Sequence, residues 1–414
     1  MNFCVLNLLS KAKLVSVILL FICGFNFLSC TSVVQPSTNN FTPWDTSFSI
    51  SGMKFPNDSI YSRAVISSAS NWRLYQFIQK CKTQDSIRVG FIGGSITWGA
   101  WSSSPALRYS SLFCASLQKC FPNLKQVFEI NAGVSATPSR FGCSRLNADL
   151  LSLAPDLIVI EFAVNDYNQG DSAFLHSTFE GLVRQCLAIR NDIPVILLFT
   201  SKGDGTNVQQ LQSDIGNYYS LPMISYRDAI WPLIVSKQVP PETFFYDDPH
   251  PNDNGHRVCA YLLYSYLKKE IQNSEGLPIS FPSYRYSDLY QYAGLITAGD
   301  STVNVTGYGW KSITKEKNRI GFASSINDST IITFKTKRKE MTLGIHMQPT
   351  DTSSIHIIVD NGLLDTTVSN NYVFEYTKFL HIYTSPSDTT HVIQVKNLGR
   401  SIFTIGYVLY SGKI

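Results

Sequence analysis

The chain has 414 residues, 44% hydrophobic and 15% charged, which is long enough for two domains with separate cores and too apolar for extended disorder. Its formal net charge is only +4 and no long Lys or Arg block occurs, so composition offers nothing to a nucleic-acid partner. The seven histidines are scattered and no Cys-x-x-Cys pair is present, so no zinc-type metal site is expected.

At the N-terminus, Lys11 and Lys13 precede "LVSVILLFICGF", an apolar stretch of signal-peptide length rather than full membrane-span length. It runs into "NFLSCTSVV", where Cys30 follows Leu28 and Ser29. This ending resembles the lipobox of bacterial lipoproteins, although Phe27 stands where that motif usually has Leu. Residues 1–30 are read as a signal peptide with Cys30 as the expected lipidation site; an ordinary cleaved signal and a retained membrane anchor stay open. Every version exports the body of the chain, either to a bacterial membrane (periplasm or cell surface) through a lipid anchor or as a secreted protein.

Residues 31–59 are expected to form a tether and lead-in, the first part rich in Ser, Thr, Asn and Pro. Residues 60–274 then alternate between two textures. Short apolar runs at 87–93, 127–133, 157–164 and 195–201 are rich in Val, Ile and Phe, whereas 110–121, 176–192 and 256–271 are longer and amphipathic. Continuous apolar strands separated by helical patterns imply a parallel sheet covered on both faces, hence a three-layer α/β domain. Around residue 275 a segment with Gly and two prolines reads as a linker. Beyond it, residues 275–414 alternate at period two between turn residues, the pattern of an all-β sandwich or jelly roll. Six cysteines lie in the body, and disulfides among them stay open, though Cys114, Cys186 and Cys259 sit in patterns of buried helix faces.

Four short stretches carry residues suited to chemistry. In "VGFIGGSITWGA" Ser95 follows the first strong strand and two glycines, at the carboxyl end where open parallel sheets bind ligands. By itself it reads more readily as a turn serine or helix cap. In "INAGVSATPSRFG" Gly133 ends the next strand and offers a backbone N–H to a developing oxyanion. Asn165, in "EFAVNDYN", ends the third strand and supplies a side-chain amide donor, while Asp166 has the chemistry of a turn former. In "YDDPHPNDNGH" Asp247 precedes His250 by three residues, a spacing that lets the carboxylate fix the imidazole tautomer while the other ring nitrogen faces a serine. His256 lies inside a helical pattern and reads as structural.

Taken in order, Ser, Gly, Asn and then Asp-x-x-His over residues 85–270 resemble the SGNH hydrolases, also called the GDSL esterase and lipase family. The resemblance implies the flavodoxin-like SGNH hydrolase fold. It also implies that Ser95 is the nucleophile, His250 the base, Asp247 its orienting acid, and Ser95, Gly133 and Asn165 the oxyanion hole. No cofactor or metal is implied. Two departures stand out: Gly93-Gly94-Ser95-Ile96 lacks the aspartate of the Gly-Asp-Ser-Leu block, and Ala163 stands where glycine usually precedes x-Asn-Asp. The "GGSIT" variant resembles that of carbohydrate-directed members.

An exported hydrolase with a β-sandwich behind it points by analogy to an acetylated glycan as partner. The expected activity is removal of acetyl or other short acyl groups from a polysaccharide or oligosaccharide. Alternatives are a lipid or small-ester hydrolase of lysophospholipase or thioesterase type, and a surface glycan-binding lipoprotein with little turnover. Trp98 and Trp101, just behind the nucleophile, are candidates for substrate binding, and Tyr308, Trp310 and Tyr372 for sugar contact in the β-domain.

Overall fold

The computed structural model describes residues 48–413 apart from 70–71, 272, 274–275, 279, 316, 318, 326–329, 348–353, 370–375, 387–388 and 400. The expected leader, Cys30, the first part of the tether and Tyr372 lie outside the described residues.

The first described element is a hairpin of β1 (Phe48–Ile50) and β2 (Met53–Phe55). Its rings stack on each other at 4.5 Å, and Phe55 meets Tyr261 edge-on at 5.2 Å, so this lead-in packs as part of the α/β core. After α1 (Asp58–Ala64) comes a mixed sheet built from β3 (Val65–Ser67), β4 (Ser86–Gly93), β5 (Gln126–Gly133), β6 (Leu157–Glu161), β7 (Val195–Phe199) and β8 (Met223–Ser225). The strand order is β3-β8-β7-β6-β4-β5, all parallel except β3, which runs antiparallel on the β8 edge. The five parallel strands have the doubly wound order 2-1-3-4-5, whose direction reverses between β4 and β6.

The apolar runs serve two cores at once. Val89, Phe91, Val159, Ile196 and Leu198 face one core, shared with α2 (Trp72–Thr83), α4 (Tyr109–Cys120), α8 (Tyr226–Val235) and α9 (Asp253–Glu270). Their neighbours Ile92, Ile158, Ile160, Val195 and Leu197 face the other, shared with α5 (Ser139–Asp149), α6 (Ser172–Ile189) and α7 (Gln209–Tyr218). Alternation persists in the backbone but vanishes from the hydropathy, because both faces are dry. The six body cysteines are free thiols, five of them buried.

The passage out of this domain is strapped down. Buried Glu180 on α6 accepts from the backbone N–H groups of Arg285, Tyr286 and Ser287, and Arg184 donates to the Pro282 carbonyl at 3.0 Å. Beyond it lie two antiparallel sheets around a third core that includes Phe334, Leu343, Ile357, Val395 and Ile405. One sheet orders β10 (Val303–Tyr308), β13 (Ile331–Thr336), β18 (His391–Asn397), β15 (Ser354–Val359) and β16 (Leu364–Ser369). The other orders β11 (Trp310–Thr314), β12 (Ile320–Ser324), β19 (Thr404–Ser411), β14 (Glu340–Met347) and β17 (Tyr376–Thr384), with β9 (Gly294–Leu295) paired to β19. This β-sandwich docks on α5: Phe141 meets Phe379 at 4.8 Å and Tyr407 at 5.0 Å, and buried Arg140 pairs with buried Glu340.

Candidate active site

β4 ends at Gly93, and the chain turns through Gly94 into the single-turn helix α3 (Ser95–Trp98), which places Ser95 at the point where the strand order reverses. A Cβ on Gly94 would fall within 2.0–2.6 Å of the Asn165 side chain, so only glycine lets that carboxamide lie against the turn. Gly133 is equally constrained. A Cβ there would come within 2.2 Å of the Trp98 backbone nitrogen, so the end of β5 and α3 touch backbone to backbone.

His250 and Asp247 arrive on the loop before α9. The His250 Nε2 lies 2.9 Å from Ser95 Oγ, and Nδ1 lies 2.6 Å from Asp247 Oδ1, which also accepts the His250 backbone N–H at 3.2 Å. The loop is braced from both sides. Tyr246 N–H donates to the His250 carbonyl at 2.9 Å, and Asn252 caps α9 by accepting from Asn254 and Gly255 while donating to the Glu242 carbonyl at 2.9 Å. Ser95 is 8% exposed, which leaves its hydroxyl reachable but largely desolvated.

Three donors lie at the turn and short helix that carry Ser95. The Ser95 N–H opens α3 and so has no intrahelical acceptor. Asn165 lies against Gly94, and its buried Oδ1 has no partner. The Gly133 N–H, expected to face the oxyanion, donates here to Asn131 Oδ1 at 2.9 Å, and Asn131 Nδ2 reaches the Thr97 carbonyl at 2.7 Å. Thus Asn131, which sequence reasoning passed over, ties the end of β5 to α3. The signal was its place two residues before Gly133, on the same face of the strand.

Below this layer sits a buried polar cluster that the sequence concealed. Glu161, the last residue of β6, accepts from Thr97 Oγ1 at 3.0 Å and Thr200 Oγ1 at 2.6 Å. Burial pushes its carboxyl up to about 7. Asp166 is also buried and pushed up to about 6 by desolvation; it accepts the Ser139 N–H at the start of α5 and the Gln212 amide. Its turn role is therefore a helix cap for a neighbouring element. His256 is fully buried beside Tyr109, and burial pushes its imidazole down to about 4. It bonds to the Ala100 carbonyl and the Tyr109 backbone N–H. The Ala163 methyl packs into the core under α5 and α6.

Trp98 and Trp101 are exposed at the rim, at 45% and 40%. Trp98 carries the Arg108 guanidinium over its ring at 5.5 Å, and Trp101 stacks at 4.1 Å on Tyr246, the residue before Asp247. In the β-sandwich Tyr308 is exposed, whereas Trp310 packs partly into the core.

The GDSL-like lipase/acylhydrolase family model matches residues 91–258, the span that contains all of these groups except the β-sandwich. Among solved structures, a two-domain esterase described as active on acetylated mannans is 24% identical, covering 86% of this chain and 99% of its own, with a TM-score of 0.79. The same esterase co-crystallised with mannopentaose is 25% identical over 86% of this chain and 98% of its own, with a TM-score of 0.77. Among curated proteins none matches this chain. The fold likeness runs through both the α/β layers and the sandwich, while the family match falls on the strand ends that carry the serine, the asparagine and the histidine loop. Residues 91–258 thus resemble the GDSL-like lipase/acylhydrolase family, and the fold that carries them is shared with a two-domain esterase.

Proposed function

We propose that the protein removes acetyl or other short acyl groups from a polysaccharide or oligosaccharide by an acyl-enzyme mechanism. The observation that carries the reading is the continuous chain from Ser95 Oγ through the His250 ring to Asp247 Oδ1, at 2.9 and 2.6 Å. Ser95 Oγ attacks the ester carbonyl as its proton passes to His250 Nε2, and Asp247 holds the Nδ1–H and stabilises the imidazolium. The oxyanion forms against the Ser95 N–H, the Asn165 amide and the Gly133 N–H, which exchanges its bond to Asn131 for the new anion. The imidazolium protonates the departing alcohol, a water deprotonated by the same ring attacks the acyl-serine, and collapse of the second oxyanion frees the carboxylic acid and Ser95.

The substrate class is supported by the likeness to the acetylmannan esterase across both domains and by the exposed indoles of Trp98 and Trp101, which offer flat faces to sugar rings. Residues 1–30 would deliver the protein outside the cytosol, with Cys30 as the lipid attachment point; mass spectrometry of the membrane fraction, comparing the parent with Cys30→Ser, tests this. The decisive experiment for function is acyl release from aryl esters of two to twelve carbons and from acetylated mannan and xylan, with Ser95→Ala alongside. Acetate from glycan, steep decline beyond short chains and silence in the variant support the reading. Preference for long chains moves the substrate to lipids, and glycan binding without turnover moves the protein to a binding role.

A further inference from the structure

Among the described residues, the mechanism above leaves one fully buried arginine unused. Arg145, on α5, is completely enclosed, and its planar fork bridges two strand ends. Nη1 donates to the Ala132 carbonyl at 2.6 Å and Nη2 to the Gly93 carbonyl at 3.0 Å. Both acceptors matter. The Ala132 carbonyl belongs to the same peptide group as the Gly133 N–H, and the Gly93 carbonyl to the peptide that enters the Gly94–Ser95 turn. In the parallel register Gly93 and Gly133 are direct neighbours, so one guanidinium grips β4 and β5 where their ladder ends.

Arg145 is itself aimed by Asp149, one helical turn on, whose Oδ2 lies 3.1 Å from Nη1. The other oxygen of that carboxylate is taken by the β-sandwich. Lys317 Nζ reaches Asp149 Oδ1 at 2.6 Å, and Arg319 Nη2 also bonds to it, both from the connection between β11 and β12. Burial alone would raise the Asp149 carboxyl, but the three surrounding cations outweigh it and hold it below the usual carboxylate range.

We propose that Arg145 is a positioning residue for the nucleophile turn and the oxyanion peptide, and that Asp149, Lys317 and Arg319 make its placement depend on the docked β-sandwich. The inference rests on the roles given above to Ser95 and Gly133. Two physical effects support it. A rigid fork fixes the spacing of two carbonyls, which a lysine with its single point charge cannot do. A carbonyl that accepts from a cation also makes the N–H of its own peptide a stronger donor, by roughly 10–30% in condensed-phase estimates of hydrogen-bond cooperativity. The sandwich thereby acts on the chemistry from behind the sheet, without touching substrate.

The test uses the full chain and three readouts: kcat and KM on 4-nitrophenyl acetate, inhibition by methylboronic acid as a tetrahedral-anion mimic, and thermal melting. Removing one oxyanion donor typically costs about 100- to 1000-fold, so disorienting one without removing it is expected to cost less. Arg145→Lys should lower kcat about 10- to 100-fold with KM within about 3-fold, and boronate affinity should fall in parallel. Lys317→Met combined with Arg319→Met should give a smaller loss of the same kind, about 3- to 30-fold, and Arg319→Lys should retain most activity. Folded variants with kcat and boronate affinity within about 2-fold of the parent would overturn the proposal, as would a loss confined to KM. If Arg145→Lys does not fold, Lys317→Met decides alone, since that side chain is 22% exposed and tolerates truncation: a parallel fall in kcat and boronate affinity supports the relay, and unchanged values refute it. Turnover surviving in Ser95→Ala would instead remove the underlying reading of the site.

Discussion

At the scale of single residues, the histidine loop shows how little backbone a serine–histidine–aspartate geometry requires. Asp247 and His250 are three residues apart, share one loop and bond both side chain to ring and side chain to backbone, so their pairing is locally encoded. Because Asp247 is 42% exposed, water screens part of its effect on the ring. Ser95→Ala and His250→Ala are therefore expected to lower kcat by about 10⁴- to 10⁶-fold, and Asp247→Asn by about 10²- to 10⁴-fold. The Ser95→Ala/His250→Ala double variant should be little worse than either single one, because the two act as a unit; aryl acetate hydrolysis measures all four. Gly133 admits a different forecast. Its missing Cβ is needed for the contact with the Trp98 backbone, so Gly133→Ala must push α3 away from β5 and should reduce turnover by at least about 100-fold while costing about 1–3 kcal/mol of stability. Kinetics joined to urea denaturation would separate the two losses. The serine, glycine, asparagine and histidine positions were legible in the sequence because each lies at or near a strand end or helix start. Asn131 and Glu161 were not, since a polar residue in an apolar strand does not say which way it points; nor was Arg145, since on a helix with so many polar residues nothing local marks it as the enclosed one.

Among the elements, the buried end of β6 makes stability depend on pH. Glu161 has its folded value raised to about 7, so it stays protonated in the fold where the unfolded chain has already ionised. Its contribution is fully present below the unfolded carboxyl value and is lost as pH rises through about 7. His256 works in the opposite sense. Its folded value is depressed to about 4, so its contribution is present above the ordinary imidazole value and is lost as pH falls toward about 4. Glu161→Gln should thus gain melting temperature relative to the parent as pH is raised from 5 to 8, and His256→Gln should gain relative to the parent as pH is lowered from 7 to 5. Melting curves of the three proteins across that range check both signs. A parent-to-variant difference that stays flat with pH would show that neither group titrates on unfolding. Periodicity located three of the helices and four of the five parallel strands to within a few residues. The three-residue strands β3 and β8, at one side of the sheet, escaped it, because three residues carry too little alternation to separate a strand from a loop.

For the whole molecule, the sandwich is joined to the α/β domain by buried groups that have no water to fall back on. Arg140 and Glu340 are 4% and 1% exposed and pair across the interface, and Glu340 also accepts from Thr342 and Ser411 at 2.9 and 2.8 Å. Glu340→Ala leaves a buried guanidinium without its partner and should cost about 3–5 kcal/mol, whereas Arg140→Met with Glu340→Met should cost much less. Urea denaturation of the two variants distinguishes them, and equal losses would mean that the pair contributes through packing rather than charge. The linker read from Gly and Pro near residue 275 is held to the catalytic domain by Glu180 and Arg184, so domain orientation is set by specific bonds and not by linker composition.

The sequence alone determined the layer order, the period-two texture of the second domain and the order of the serine, glycine, asparagine and aspartate–histidine blocks. These are local properties, written in hydropathy period and in spacings of a few residues. The tertiary structure alone decided which polar residues meet. Ser95 and His250 are 155 positions apart, and Gly93 and Arg145 are 52 apart. Lys317 and Asp149, separated by 168 positions, belong to different domains. Each of those contacts exists because strand ends converge at one edge of a sheet or because one domain docks on a helix of the other. Such convergence leaves no period in the chain to be read.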